Sequence, residues 1–194
     1  MSSVVLTGDT SGSGTITVPA VAGSFTATIG SATGTHYPFT AGTAVASTSG
    51  TSIDFTSIPS WVKRITVLFQ GVSTSGTSNP LIQLGSGSTT TSGYLTYGSY
   101  AGGTNACGGS NWTTGFGVAL GSAVNLMSGN FVFTLISSNT WIGSYVLGDN
   151  TSGTYYSAQG GGSIALSGTL DRVRITTING TDTFDAGSIN ILYE

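Results

Sequence analysis

Leu170-Asp171-Arg172-Val173-Arg174-Ile175-Thr176-Thr177-Ile178-Asn179-Gly180 is followed, three residues on, by Phe184-Asp185-Ala186-Gly187-Ser188-Ile189-Asn190-Ile191-Leu192-Tyr193-Glu194. Val173 and Ile175 alternate with Arg172, Arg174 and Thr176. Ile189, Ile191 and Tyr193 alternate with Ser188, Asn190 and Leu192. Strict alternation is the signature of a strand with one buried face, because successive side chains leave a strand on opposite sides. Asn179-Gly180 between the two runs is a turn signal, since both residues tolerate a positive φ. The sequence stops inside the second run, which predicts that its last residues lie in a sheet.

The same pattern extends upstream. Ile53 and Phe55 precede Ile58-Pro59-Ser60-Trp61-Val62, and Ile65, Val67 and Phe69 share one face of the next run. Leu81 to Leu84 is short and apolar. Tyr94, Thr96 and Gly98 alternate with Leu95 and Tyr97, and Gly115 to Leu120 follows. Phe131 to Ile136 and Thr140 to Val146 are separated by Ser137-Ser138-Asn139, a hairpin spacing. A weaker run at Tyr155 and Tyr156, then Ile164 to Leu166, leads to the final pair. No helical spacing is sustained, and glycine interrupts every window. Stretches such as Ser73 to Ser78 and Ser86 to Ser92 are loops. The reading is all-β: a two-sheet sandwich of the jelly-roll type. The predicted core is Ile53, Phe55, Ile65, Val67, Phe69, Leu84, Phe116, Phe131, Phe133, Leu135, Ile142, Val173, Ile175, Ile189 and Ile191.

Charged residues make up 6% of the 194, net charge is -3, and there are 31 glycines. Such a composition could describe a linker, but 38% of residues are apolar and they cluster in alternating runs. The surface must therefore be covered by hydroxyls and amides. It carries no strong field, and four basic residues cannot neutralise a phosphate track, which argues against nucleic acid as a partner. Cys107 is the single cysteine, so no intrachain disulfide forms. Met1-Ser2-Ser3 lacks a basic region and an apolar run, which predicts synthesis in a cytoplasm. No stretch approaches the roughly 20 apolar residues of a membrane helix, so no membrane insertion is expected. Sequons at Asn111, Asn150 and Asn179 carry no weight in a threonine-rich chain without a secretory signal.

Residues 1–41 differ from the rest. Thr15 to Val18 and Phe25 to Ile29 are short alternating runs split by Pro19-Ala20-Val21-Ala22-Gly23. Two such strands are marginal alone in water. The segment reads as an attachment arm that needs a partner, and residues 42–194 as the sandwich domain.

Candidates for chemistry are few. A nucleophilic hydrolase needs a general base, and the single histidine, His36, lies in the arm with no G-x-S-x-G elbow anywhere. One His and one Cys cannot make a zinc site. Asp182 and Asp185 beside the Asn179-Gly180 turn, and Asp149-Asn150, read as turn-capping side chains, with a structural calcium the alternative. Asp171 reads as the partner of a neighbouring arginine. A glycosidase would need two carboxylates flanking a bond, and no pair stands out among Asp54, Asp149, Asp171, Asp182, Asp185 and Glu194. Gly12-Ser13-Gly14 and Gly160-Gly161-Gly162 lack the lysine and helix of a phosphate cradle. The expectation is a non-enzyme with no catalytic residue, metal or cofactor. Aromatic rings remain, since sugars dock apolar faces on exposed rings while amides and hydroxyls bind their OH groups. The glycan-contact candidates are Trp112, Asn111, Tyr97, Tyr100, Tyr155 and Tyr156. Trp112, in the glycine-rich stretch Asn105 to Thr114, reads as a loop ring facing solvent. Trp61 and Trp141, among apolar neighbours, read as core.

The ending quoted above resembles the last strands of small jelly-roll domains in tailed-bacteriophage fibre and virion surface proteins. Val4 to Gly12, Gly14 to Gly23, Ile53-Asp54-Phe55 and Ser60-Trp61-Val62-Lys63-Arg64-Ile65-Thr66-Val67 are similar to segments of the same class. The resemblance implies a structural protein of the virion, exposed on the particle surface. It implies a homotrimer whose residues 1–41 attach to other virion proteins and whose jelly roll projects outward to host-surface glycan. No shaft repeats separate arm from tip, unlike a long tail fibre. A short tail fibre and a head fibre or capsid decoration protein, clamped to the capsid by its arm, both remain open.

Overall fold

The computed structural model describes residues 3–7, 13–17, 39–103, 106–151 and 154–194. The strands, in chain order, begin with β1 (Ser3–Thr7), β2 (Ser13–Thr17), β3 (Thr40–Ala41), β4 (Val45–Ala46), β5 (Ile53–Thr56) and β6 (Arg64–Thr74). They continue with β7 (Pro80–Ser86), β8 (Ser88–Thr89), β9 (Leu95–Gly102), β10 (Cys107–Trp112) and β11 (Phe116–Gly117). The last are β12 (Met127–Ser137), β13 (Thr140–Thr151), β14 (Thr154–Ala165), β15 (Arg172–Thr177) and β16 (Phe184–Tyr193). There is no helix among the described residues. The predicted all-β sandwich is what forms.

The chain divides into two units, Met1–His36 and Tyr37–Glu194. In the first, β1 and β2 pair antiparallel, with Ser3 opposite Thr17 and Thr7 opposite Ser13. The predicted run Phe25 to Ile29, the break at Pro19 to Gly23 and His36 lie outside the described residues. The body begins earlier than residue 42: Thr40 and Ala41 pair with Tyr193 and Leu192, so β3 belongs to the sandwich.

In the body, every paired strand is antiparallel. A small sheet runs β11-β7-β15-β5, with β8 on β7. A wide sheet runs β10-β9-β14-β13-β12-β6-β16-β3, with β4 also on β16. Eight of these strands form two facing four-stranded layers, β5-β15-β7-β11 and β3-β16-β6-β12. From β5 to β7, and again through β11, β12, β15 and β16, the chain switches layer at each of these strands. Two hairpin-like insertions, β9-β10 and β13-β14, extend the wide layer past β12.

Alternation sets the inner faces. Ile65, Val67 and Phe69 of β6, Phe131 and Phe133 of β12, and Ile189 and Ile191 of β16 point inward from the wide sheet, all nearly inaccessible. Ile82, Leu84, Val173, Ile175 and Phe116 meet them from the small one. Aromatic contacts continue through the layer: Phe131 stacks on Tyr145 at 4.4 Å, and Phe116 meets Phe133 edge-on at 5.0 Å. Phe55 and Leu135 pack at the margin, partly buried. Trp141 is buried as expected, whereas Trp61 is only partly so, tilted against Tyr193 at 6.0 Å.

Ile142 is not core. It is 44% exposed, while Trp141, Tyr145 and Leu147 of the same strand face inward. Parity explains the difference. Gly143 takes the inward place between Trp141 and Tyr145, and a Cβ there would lie 2.7 Å from the Phe133 ring. Glycine leaves that inward slot blank in the sequence, so the adjacent apolar pair Trp141-Ile142 reads equally well either way, and a shift of one residue exchanges the faces.

The two turn predictions resolve differently. Ser138 and Asn139 close a true hairpin, with Ser137 opposite Thr140 and Ser138 at φ 45°. The Asn179-Gly180 turn also forms, with Gly180 at φ 67°, but it carries the chain from one layer to the other, because β15 and β16 pair in different sheets. The Asn179 side-chain carbonyl accepts from the Thr181 and Asp182 amides at 3.0 and 3.2 Å. Asp182 accepts from the Asn179 side-chain amide at 2.7 Å and from the Ser78 backbone at 2.9 Å, and these two bonds hold its carboxyl below the usual range. Asp182 is thus a turn cap, as expected. Asp171 pairs with Arg172 at 2.8 Å, and Asp54 with Arg174 across β5 and β15 at 2.7 Å.

Candidate functional site

Side-chain parity divides the six sequence candidates. Tyr94, just before β9, and the even residues Thr96 and Gly98 within it face the core, and Tyr100 continues that face towards the strand's end. In β14 the inward face carries Tyr156, Ala158 and Ile164. Tyr97 and Tyr155 have the other parity and are 58% and 63% exposed on the outer face. Asn111, opposite Tyr97 in the β10–β9 register, is exposed with them.

Trp112 is a correction. The glycine-rich stretch around it is not a loop but β10, an edge strand paired to β9 from Cys107 to Trp112. The ring turns inward and is 8% exposed. It lies over two glycines: a Cβ on Gly98 would sit 3.0 Å from it, and one on Gly117 would overlap it. Thr96 donates its hydroxyl toward the Trp112 and Gly115 carbonyls, each at 2.9 Å, which pins the strand end. The indole is a lid on the extended part of the sheet and offers no open platform.

Tyr100 and Tyr156 are the pair the fold brings together. Their ring centroids are 5.7 Å apart at 84°, an edge-to-face contact. Glycines opposite make the room. A Cβ on Gly108 would lie 2.7 Å from the Tyr100 ring, and one on Gly102 would lie 2.5 Å from the Tyr156 ring. The two rings form one wall of a groove of about 410 Å³. Asn79, Ser110, Ser122, Asn125 and Thr151 supply amides and hydroxyls around it, and among the described residues no charged one lines it.

The opposite wall is the segment from Ala119 to Asn125, which is held in place by two buried side chains. Asn125 donates its side-chain amide to the Leu120 carbonyl at 2.9 Å. Asp149, 4% exposed, accepts from the Leu126 amide at 2.9 Å and from the Thr151 hydroxyl at 2.7 Å. Its other oxygen has no hydrogen-bond partner among the described residues. Asp149 is therefore a capping side chain that fastens the groove wall to β13. Tyr145, beneath Ala119, also has a hydroxyl without a standard hydrogen bond. Burial pushes it up to about 12 against a smaller lowering by the Ala119 backbone.

A second groove, about 370 Å³, lies between Gln83, Thr114, Thr176 and Asn179, with no aromatic ring, and its Arg174 is occupied by Asp54. Among the described residues no three of His, Cys, Asp and Glu come together as a metal site would require. The aromatic groove is the best-formed candidate. Sequence reasoning had two of its rings and none of its amides or hydroxyls. The clue that could have found it is the pairing of tyrosines with glycines of matching parity on neighbouring strands.

Compared with protein-family models, with curated proteins and with solved structures, the chain gives no match.

Proposed function

We propose that this chain is a non-enzymatic structural protein of a tailed-phage virion, a short trimeric fibre that touches host-surface glycan through the Tyr100–Tyr156 groove. The observation that carries the glycan reading is the groove itself: two tyrosine rings, hydroxyls and amides, and no charge. Apolar sugar faces suit the rings, and sugar hydroxyls suit Asn79, Asn125 and Ser110, so the ligand class is a neutral polysaccharide. The groove has the character of a small-ligand site, apolar with a few polar groups. The virion reading rests on the sequence resemblance. It is supported by the strand order, in which β3-β16-β6-β12 faces β5-β15-β7-β11, the interleaved pattern of a jelly roll.

Polysaccharide extracted from the host strain tests it. Tyr100→Ala and Tyr156→Ala should each weaken binding at least about tenfold, the effect of losing about 1.4 kcal/mol. Particles carrying either variant should adsorb more slowly. Unchanged binding and adsorption would leave the capsid decoration protein as the better reading.

A further inference from the structure

Among the described residues of the body, nothing packs on the outer face of the wide sheet. Across its strands Tyr97, Gly161, Ser144, Val132, Thr66 and Leu192 fall in one row. Flanking rows add Leu95 at 75% exposure, Val146 at 58% and Ile142 at 44%. The residues between them are mostly Gly, Ser, Thr and Asn, so the face is low in relief. In the rows that cross β9, β14, β13, β12 and β6, the sole charged side chain is Arg64 at one end, paired with Glu194 at 3.1 Å. Large apolar side chains left in water on a face without charge mark an interaction surface.

We infer that this face is where copies of the chain associate with one another. Area is the first argument. Strands spaced about 4.8 Å apart, with same-face side chains recurring about every 6.7 Å, give the six strands β9, β14, β13, β12, β6 and β16 and their four rows about 770 Å². A stable interface needs about 800 Å² from each partner. Charge is the second. A neutral face gives a charged partner nothing to recognise, whereas other copies of the same face are matched to it in polarity, and packing them around one axis buries no unpaired charge. Small residues let the sheets approach to about 10 Å. The inference rests on the self-association in the proposed function and adds the surface that makes it. Tyr100 and Tyr156 lie on the opposite side of β9 and β14, so association leaves the groove open.

Light scattering on the full chain reads the outcome, beside Val146→Lys and Leu95→Lys, with Tyr97→Ser as a milder variant and circular dichroism to verify folding. The inference expects an oligomer of the 19.4 kDa chain that the lysine variants convert to folded monomer and Tyr97→Ser weakens. A wild-type dimer that the variants dissociate supports the surface and refutes the trimer. A trimer unmoved by all three variants refutes the surface and leaves the trimer standing. A monomeric full chain overturns both.

Discussion

The Tyr100 and Tyr156 rings, 56 positions apart in sequence, meet edge to face at 5.7 Å and 84° on adjacent strands of the wide sheet. Ala158 is the residue directly opposite Tyr100, and Gly102 is directly opposite Tyr156, so the contact is diagonal. The small residues let each ring lean toward the other. The groove wall is thus a consequence of register, and it would be lost by a slip of one residue.

The contact should be measurable as a coupling. A double-mutant cycle with Tyr100→Ala and Tyr156→Ala, read by denaturant unfolding, should give an interaction of about 0.5–1.5 kcal/mol, the usual range for such ring pairs. Gly102→Ala, which drives a Cβ into the Tyr156 ring, should lower polysaccharide affinity while both tyrosines remain. Additive single mutants would show that the rings do not support each other.

Trp112→Ala should cost about 3–5 kcal/mol, the range for removing a buried large aromatic. The indole packs into the space that Gly98 and Gly117 leave, beside the Tyr145 hydroxyl. A shift of about 0.5 kcal/mol or less in urea unfolding, as for a surface residue, would contradict its burial.

Alkaline pH should unfold the body through its tyrosines. Tyr94 is fully buried, accepts the Leu84 amide at 2.8 Å, and is pushed up to about 12 by burial, against a smaller lowering by that bond. Tyr145 is raised to the same level. Both are raised above the ordinary value of 10, so between pH 10 and 12 the unfolded chain loses protons that the folded chain keeps. Stability therefore falls as pH rises through that window, by about 1–3 kcal/mol for each tyrosine, and is fully present below it. Phenolate absorbance should show two of the eight tyrosines titrating only as circular dichroism reports unfolding.

The boundary at residue 36 can be tested by truncation. Removing residues 1–36 should leave a body with unchanged Tm that no longer joins particles. Removing residues 1–41 also strips β3 from Tyr193 and Leu192. Losing about 1 kcal/mol of ladder bonding should lower Tm by about 2–4 °C relative to the first truncation. Normal incorporation of either truncated protein into virions would end the attachment role of the arm.

What the sequence determined by itself is the all-β class, most of the longer strands though not β10, the two turns and most of the core. Each follows from a local rule: alternation for Ile65, Val67 and Phe69, positive φ for Gly180, a short polar gap for Ser137 to Asn139. The two-residue strands β3, β4 and β8 were not legible, because so short a run carries no period. The parity of β13 was not legible either, because Gly143 marks its inward place with no side chain. Tertiary structure alone decided which strands share a sheet, and so that Asn179-Gly180 joins two layers instead of closing a hairpin. It also decided the fate of the aromatics. Local sequence shows Trp112 and Tyr100 alike as rings near glycines. Only the packing of β11 across β9 and β10 buries the first, and only the pairing of β14 with β9 sets the second against Tyr156. A strand's own sequence tells which of its residues share a face, but what that face meets is set by neighbours distant in the chain.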